Sequence, residues 1–303
     1  MEFNITILGN NSAIPTLKRN PTAQLINHNQ KIFLIDCGEG TQMQLRRYRL
    51  KMQRISQIFI SHLHGDHYFG LIGLISTMHL LGRNDELHVY GPEPLDHILK
   101  IQLEASQTEL NYPFHFHAIN PDIHEIIFEN EKLAVSTIPM NHRVPTCGFL
   151  FREKKGSRKI LKEKINALKI PVDQFLNIKK GEDFIDEKGN IHKNATLTSE
   201  PIPPRSYAYC SDTKYHEPII PLIRNVDLLY HEATFLHDRA ESAAEKYHST
   251  AVEAATIAKK AGAKKLLIGH FSNRYENAEE LVSEARGVFE NTFLASEGKA
   301  FKL

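Results

Sequence analysis

The sequence predicts a layered α/β protein in which mixed β-sheets are covered by helices. Three observations predict it: strand-length apolar runs alternate with helix-compatible stretches along the 303 residues, the opening runs are hairpin-like, and several later runs end in a residue able to bind a metal. The hairpin opening argues against a doubly wound, wholly parallel sheet.

Phe3 to Leu8, Ala23 to Asn27 and Lys31 to Ile35 have the pattern of strands, with His28-Asn29-Gln30 as the turn between the last two. A glycine-bearing loop, Asp36-Cys37-Gly38-Glu39-Gly40, leads into a helix-compatible stretch from Thr41; its glycines permit close backbone approach at the edge of a site. Gln57 to Ser61 is the next strand, and an apolar helix is expected over Phe69 to Leu81. Strand-like runs recur at Glu86 to Tyr90, Leu133 to Ile138, Tyr207 to Ser211, Leu228 to Tyr230 and Lys265 to Ile268. Thr250 and Glu253 have the spacing of a capping box, and the helix they open runs to about Ala261 and stops at Gly262.

A hydrophobic content of 41% is ample for a full core, in one large domain or two smaller ones. With 37 basic and 36 acidic side chains the net charge is +1, so any site for a polyanion must come from local clustering. Cys37, Cys147 and Cys210 are an odd, widely spaced set, as expected of free thiols in a reducing cytoplasm. The chain opens Met1-Glu2-Phe3-Asn4, with no basic leader or apolar signal region, and no later apolar span reaches membrane length; a soluble, cytoplasmic protein is expected.

The densest chemistry is His62-Leu63-His64-Gly65-Asp66-His67, directly behind the apolar run Ile58-Phe59-Ile60. Ordinary surface histidines have no reason to alternate so closely behind a buried strand. Imidazole and carboxylate without thiolate suit zinc, manganese or iron(II) and argue against a sulfur-closed structural zinc site. Other strands deliver His142, Asp212 and His270 at their carboxyl ends, where ligands gather in layered α/β folds. His62, His64, Asp66, His67, His142, Asp212 and His270 make seven candidate ligands, too many for one zinc and suited to two ions sharing a carboxylate. Asp212 is the bridging candidate, and two ions can clamp both the attacking and leaving oxygens of a displaced phosphoryl group. His28, His79, His88, His115 and His117 lie off the strand-end pattern and read as structural or solvated.

These residues resemble the metallo-β-lactamase superfamily, which implies a four-layer αβ/βα sandwich with two mixed sheets and a two-zinc site. More narrowly, Pro15-Thr16-Leu17-Lys18-Arg19-Asn20, Asp36 to Gln42, His231-Glu232-Ala233-Thr234-Phe235 and His248-Ser249-Thr250, in this order, resemble the ribonuclease Z family in its short form. That resemblance implies one metallo-hydrolase domain over 1–303 and an endoribonuclease that removes the 3′ trailer from tRNA precursors. It implies two Zn2+ per subunit, Mn2+ or Fe2+ also being compatible, and a homodimer. One ion would take His62, His64 and His142, the other Asp66, His67 and His270, with Asp212 between them and Asp66 doubling as proton acceptor. The Pro15–Asn20 loop would meet the RNA 3′ end.

His248 stands over the start of the capped helix, where the helix dipole suits a phosphate but should depress the imidazole pKa. A carboxylate could offset this, and Glu232 is the natural partner, making His248 the candidate general acid and Glu232 its orienting group. Arg152 to Lys180 carries ten basic and three acidic residues, a surplus of seven, suited to a phosphate backbone. The segment 152–196 lies where ribonuclease Z inserts its flexible tRNA-binding arm, but here Ile170-Pro171-Val172-Asp173 precedes Ile178-Lys179-Lys180-Gly181 and the family's Gly-Pro element is missing. A second basic stretch, Arg46 to Arg54, could track an RNA backbone or be a solvated helix face. Two other readings stand beside the nuclease: a small-molecule phosphodiesterase or arylsulfatase-like two-metal hydrolase, with no use for a basic arm, and an RNA-binding module without turnover, against which a full ligand set argues.

Overall fold

Phe3, Ile5 and Ile7 are fully buried along the first strand, β1 (Phe3–Gly9), while Asn4 and Thr6 between them are only partly so, the period-two pattern of a strand with unlike faces. The computed structural model describes residues 2–303. The strands that follow are β2 (Ala23–His28), β3 (Lys31–Ile35), β4 (Ile55–Phe59), β5 (Leu87–Pro92), β6 (Phe114–Ile119), β7 (Ile126–Glu129), β8 (Leu133–Pro139), β9 (Cys147–Glu153), β10 (Lys159–Ile160), β11 (Phe184–Ile185), β12 (Ile191–His192), β13 (Thr198–Ser199), β14 (Ser206–Cys210), β15 (Leu228–Glu232), β16 (Leu266–Gly269), β17 (Thr292–Leu294) and β18 (Ala300–Lys302).

The first seven-stranded sheet has the order β18-β1-β2-β3-β4-β5-β6, antiparallel as far as β3 and parallel from there. Its connections explain the change of direction. Asn29 and Gln30 join β2 to β3 with φ of 50° and 70°, the tight turn that matches the twist of hairpin strands. Beyond β3 the helices Thr41–Arg47, Leu71–Leu80 and Pro94–Ala105 supply the long crossovers that parallel neighbours require. The second sheet has the order β17-β16-β15-β14-β9-β8-β7; β14 to β17 are parallel, with the helices Ala251–Ala261 and Glu279–Arg286 between β15, β16 and β17.

Helix residues Leu74, Ile75, Met78 and Leu99 pack with Leu34, Ile58 and Val89 of the first sheet. On the second, Ala254, Ala258 and Leu281 pack with Leu229, Leu266 and Ile268. Between the sheets lies an aromatic layer, in which Phe59 stands 5.5 Å from Phe149 and 5.6 Å from Phe151 between ring centroids. The order is therefore helix, sheet, sheet, helix, and strands such as β15 and β16 are buried on both faces.

The structure corrects the sequence reading in detail. The fourth strand lies two residues earlier than Gln57–Ser61, because its register pairs Ile55 with Ile32 and Phe59 with Ile35. The helix expected over Phe69–Leu81 divides into Gly65–Tyr68 and Leu71–Leu80. Between them Gly70 donates its amide to the Cys37 carbonyl at 2.9 Å, and a Cβ there would collide with the Gly38 carbonyl. Likewise a Cβ on Gly38 would collide with the Asp66 carbonyl, so the glycine loop is packed against the histidine cluster itself. The Ala251–Ala261 helix begins with the expected reciprocal capping box and ends at Gly262, at φ 65°. All three cysteines are buried and free. No helix among the described residues is long and apolar enough to cross a membrane.

The chain divides into two compact units, one comprising residues up to Phe128, Val135–Phe151 and Ser206–Leu303, the other Glu129–Ala134 and Arg152–Arg205. The segment 152–196 is thus the larger part of the second unit, completed by 197–205 and the short piece at 129–134. This unit pairs β10 with β13 and β11 with β12 around a small core of Ile160, Ile170, Ile178, Phe184 and Leu197. At its base Arg205 makes a bidentate pair with Glu153, at 2.7 and 2.9 Å. Two of its acidic residues serve as internal acceptors: Asp183 takes the Asn194 amide and Lys193, while Asp186 takes the Lys188 and Asn190 amides and His192. Arg152, Lys154, Lys155, Lys159, Lys162, Lys169, Lys179 and Lys180 are exposed to solvent, Lys154 in an ion pair with Glu129.

Candidate active site

Strand ends assemble the site. β4 delivers Ser61 to His67, β8 is followed by His142, β14 by Asp212 and β16 by His270, while β15 ends in Glu232. Asp36, Asp212 and His270 follow β3, β14 and β16 with φ of 54°, 54° and 58°. Non-glycine residues in this left-handed region are uncommon, and three of them after strands of both sheets mark a site at which the chain accepts strain.

Two sets of ligand atoms converge, His62, His64, His142 and Asp212 in one and Asp66, His67 and His270 in the other, each within 4.8 Å of its fellows. His62 Nε2 and His142 Nε2 stand 3.1 and 3.2 Å from His64 Nδ1. Ligands at zinc–nitrogen bond length around a tetrahedral ion stand about 3.3 Å apart, so this spacing fits a metal. Asp212 divides its carboxylate between the sets. Its Oδ1 is 3.1 Å from His67 Nε2 and 3.3 Å from His270 Nε2, and its Oδ2 is 3.7 Å from His62 Nε2 and 3.8 Å from His142 Nε2. Asp66 places Oδ2 3.3 Å from His270 Nε2 and accepts the Ala13 amide at 2.8 Å. Burial alone would raise the Asp66 pKa, but His67 and His270 outweigh it and hold the group ionised well below the usual carboxylate range.

Partners on the far nitrogens orient the rings. Nδ1 of His62 meets Ser61 Oγ at 3.0 Å, that of His142 meets the Tyr247 carbonyl at 3.0 Å, and that of His270 meets Thr234 Oγ1 at 3.0 Å. Nδ1 of His67 donates to Asp36 at 2.7 Å, and its Nε2 is buried without a hydrogen-bond partner, a donor set that a cation would satisfy. Asp36 is fully buried and also accepts the Ser61 amide, the Ser61 hydroxyl and the Tyr209 hydroxyl, the last at 2.6 Å. Sequence reading placed Asp36 in a motif without assigning it this task, and it missed Ser61, Thr234 and the Tyr247 carbonyl. Asp36→Asn retains the shape but removes the charge facing His67. Metal affinity should fall about 10–100-fold, as measured by competition with a chelator.

His248 lies beside both sets, its ring 5.4 Å from that of His142 and 5.3 Å from that of His270. Its Nδ1 is 2.9 Å from Glu232 Oε1. Glu232 is fully buried and also accepts the Thr213 and Ser249 amides and the Thr234 hydroxyl. Burial disfavours the imidazolium, but the Glu232 carboxylate outweighs it and raises the His248 pKa to about 9. The carboxylate, not the helix start, sets the sign. In the Pro15–Asn20 loop Arg19 is tied to the Ser272 and Tyr275 carbonyls, whereas Lys18 is exposed. Arg46, Arg47, Arg49, Lys51 and Arg54 of the second basic stretch are exposed as well.

Residues 3–161 match the family model described as Anti-Pycsar protein Apyc1, a match that ends before Asp212, Glu232, His248 and His270. Ribonuclease Z of Parabacteroides distasonis is 47% identical over 297 residues, 98% of either chain. Human tRNase Z, short form, superposes with a TM-score of 0.72 at 27% identity over 98% of either chain. The metallo-β-lactamase fold protein YhfI of Bacillus subtilis, at 20% identity and a TM-score of 0.70 over the full length of both, shares the fold. Likeness of this extent, spanning both ligand sets and the Glu232–His248 pair, decides the matter: the chain belongs to the ribonuclease Z family.

Proposed function

We propose that this protein is a metal-dependent tRNA 3′ endonuclease that removes the trailer from tRNA precursors. The observation that carries the mechanism is the divided carboxylate of Asp212, with three imidazoles around one oxygen's side and Asp66, His67 and His270 around the other. His62 Nε2, His64 Nδ1, His142 Nε2 and Asp212 Oδ2 would hold one zinc ion, and Asp66, His67 Nε2, His270 Nε2 and Asp212 Oδ1 a second. Such ions supply Lewis-acid charge that polarises a phosphoryl oxygen and makes water easier to deprotonate near neutral pH.

The chain's own residues do the rest. Asp66, kept ionised by its neighbours and steadied by the Ala13 amide, accepts the proton of the attacking water. As the new P–O bond forms, the bond from phosphorus to the ribose 3′-oxygen breaks. His248, held protonated by Glu232, gives its proton to that departing oxygen. The tRNA keeps a 3′-hydroxyl and the trailer leaves with a 5′-phosphate. The exposed lysines and arginines of the second unit grip the precursor as the family's arm does, and the protein works in the cytoplasm as a homodimer, both points resting on family membership.

The metal-loaded protein should cut a 3′-extended tRNA precursor after the discriminator nucleotide, as read by end-labelling of both products, and should lose that activity on chelation. An intact precursor beside hydrolysis of a small phosphodiester such as bis(p-nitrophenyl) phosphate would instead establish the small-molecule hydrolase.

A further inference from the structure

At the β6 edge of the first sheet the inner face changes from aromatic to imidazole. The register sets Gln57 of β4 beside His88 of β5 and His115 of β6, and Phe59 beside Tyr90 and His117. Because side chains alternate along a strand, His88, Tyr90, His115 and His117 share one face, and Glu86, two residues before His88, joins them. The ring of His117 stacks on Tyr90 at 4.4 Å, which continues the aromatic layer, and His88 stacks on His115 at 4.8 Å.

The polar atoms of this patch converge. Glu86 Oε2 is 3.5 Å from His88 Nε2 and 3.8 Å from His115 Nε2, and one ligand atom from each of the three lies within 4.8 Å of the others. The two Glu86 distances are within about half an ångström of the roughly 3.3 Å expected between ligands of a tetrahedral zinc ion. The far nitrogen of His88, Nδ1, stands 2.9 Å from His117 Nε2, the kind of outer partner that fixes the tautomer and direction of a ligating imidazole. Glu86 and His115 are 64% and 46% exposed, so an ion can reach them from solvent, whereas His88 at 21% is held in place.

We propose that Glu86, His88 and His115 form a second, surface site for a divalent cation of the zinc class, with His117 as the residue that positions His88. It is separate from the hydrolytic cluster. His88 and His115 are the second residues of β5 and β6, at the amino ends of these parallel strands, whereas His62 to His67 follow the carboxyl end of β4. An ion there would tie the edge strand β6 to β5. Read from sequence alone, these histidines lie off the strand-end pattern and read as structural or solvated; only the register brings them together.

The test is a metal count by mass spectrometry after equilibrium dialysis of the holoenzyme against micromolar free Zn2+. The unaltered protein should hold one more ion per chain than the His88→Ala/His115→Ala variant. His115→Ala alone, which alters the more exposed ring, should also lose that ion, guarding against a double variant that misfolds. His117→Ala should weaken the additional site on the order of 10–100-fold without abolishing it. Precursor cleavage should be the same in all of them. Equal zinc content in the unaltered and His115→Ala proteins overturns the proposal. The readout is a difference between proteins, so it stands whatever the hydrolytic cluster binds.

Discussion

Replacing His248 by alanine should lower single-turnover cleavage of a tRNA precursor by about 10²–10⁴-fold at neutral pH, with metal content and melting temperature unchanged. The ribose 3′-oxygen is a poor leaving group as an alkoxide and needs a proton as it departs. His248 is the imidazole beside the cluster whose partner is a buried carboxylate, and that carboxylate keeps the ring charged. Glu232→Gln tests the charge: its amide oxygen can still accept the Nδ1 hydrogen but no longer favours the imidazolium, so the rate should fall less than in His248→Ala, with a lower melting temperature because the new NH2 group faces the Ser249 amide. Cleavage at the unaltered rate by His248→Ala would show that another group supplies the proton.

Removing the second unit should have an effect of similar size on a different quantity. The Glu153 amide bonds to the Arg205 carbonyl at 2.9 Å, so a short glycine-serine linker in place of 154–204 spares the base of the unit. Eight basic side chains of Arg152–Lys180 are exposed, seven of them within 154–204, while Asp183 and Asp186 are occupied with internal hydrogen bonds. If four of the lost cations contact phosphates, the slope of log affinity against log salt should flatten by about 3–4, and precursor affinity at low salt should fall roughly 10²-fold. Hydrolysis of a small phosphodiester, which has no backbone to grip, should be unchanged. A truncated protein that binds precursor with the original salt slope would remove the arm from the reading.

Much of the hydrolytic cluster is legible in the chain because its information is local. An apolar run of five or six residues ending in histidine or aspartate already states where a buried strand stops and what it presents, as with Leu266-Leu267-Ile268-Gly269-His270. The capped helix behind His248 is equally local, its signal contained in Thr250 and Glu253. Asp36 closes a run of the same kind, Ile32-Phe33-Leu34-Ile35, but that run does not say which side chain the carboxylate will orient. Its partners Ser61, His67 and Tyr209 are 25, 31 and 173 residues away, and a lone aspartate after a strand looks like a turn residue. β6 escaped notice for a related reason: in Phe-His-Phe-His the phenylalanines pack on the helix-side core while the histidines stack on other rings, and nothing within the run says that its imidazole face will meet the rings of β5.

By itself, then, the sequence determined which residue types stand at the ends of which strands, and so the metal-binding character of the site, its seven candidate ligands and the Glu232–His248 pairing. Tertiary structure alone decided which oxygen of Asp212 faces which imidazoles, which nitrogen each histidine turns inward, that Asp36 sets the direction of His67, and that Glu86, His88 and His115 meet at all. The division has a physical origin. Backbone periodicity is written over a few consecutive residues, whereas ring orientation and cross-strand register depend on hydrogen bonds between segments far apart in the chain, which exist only once both sheets have packed.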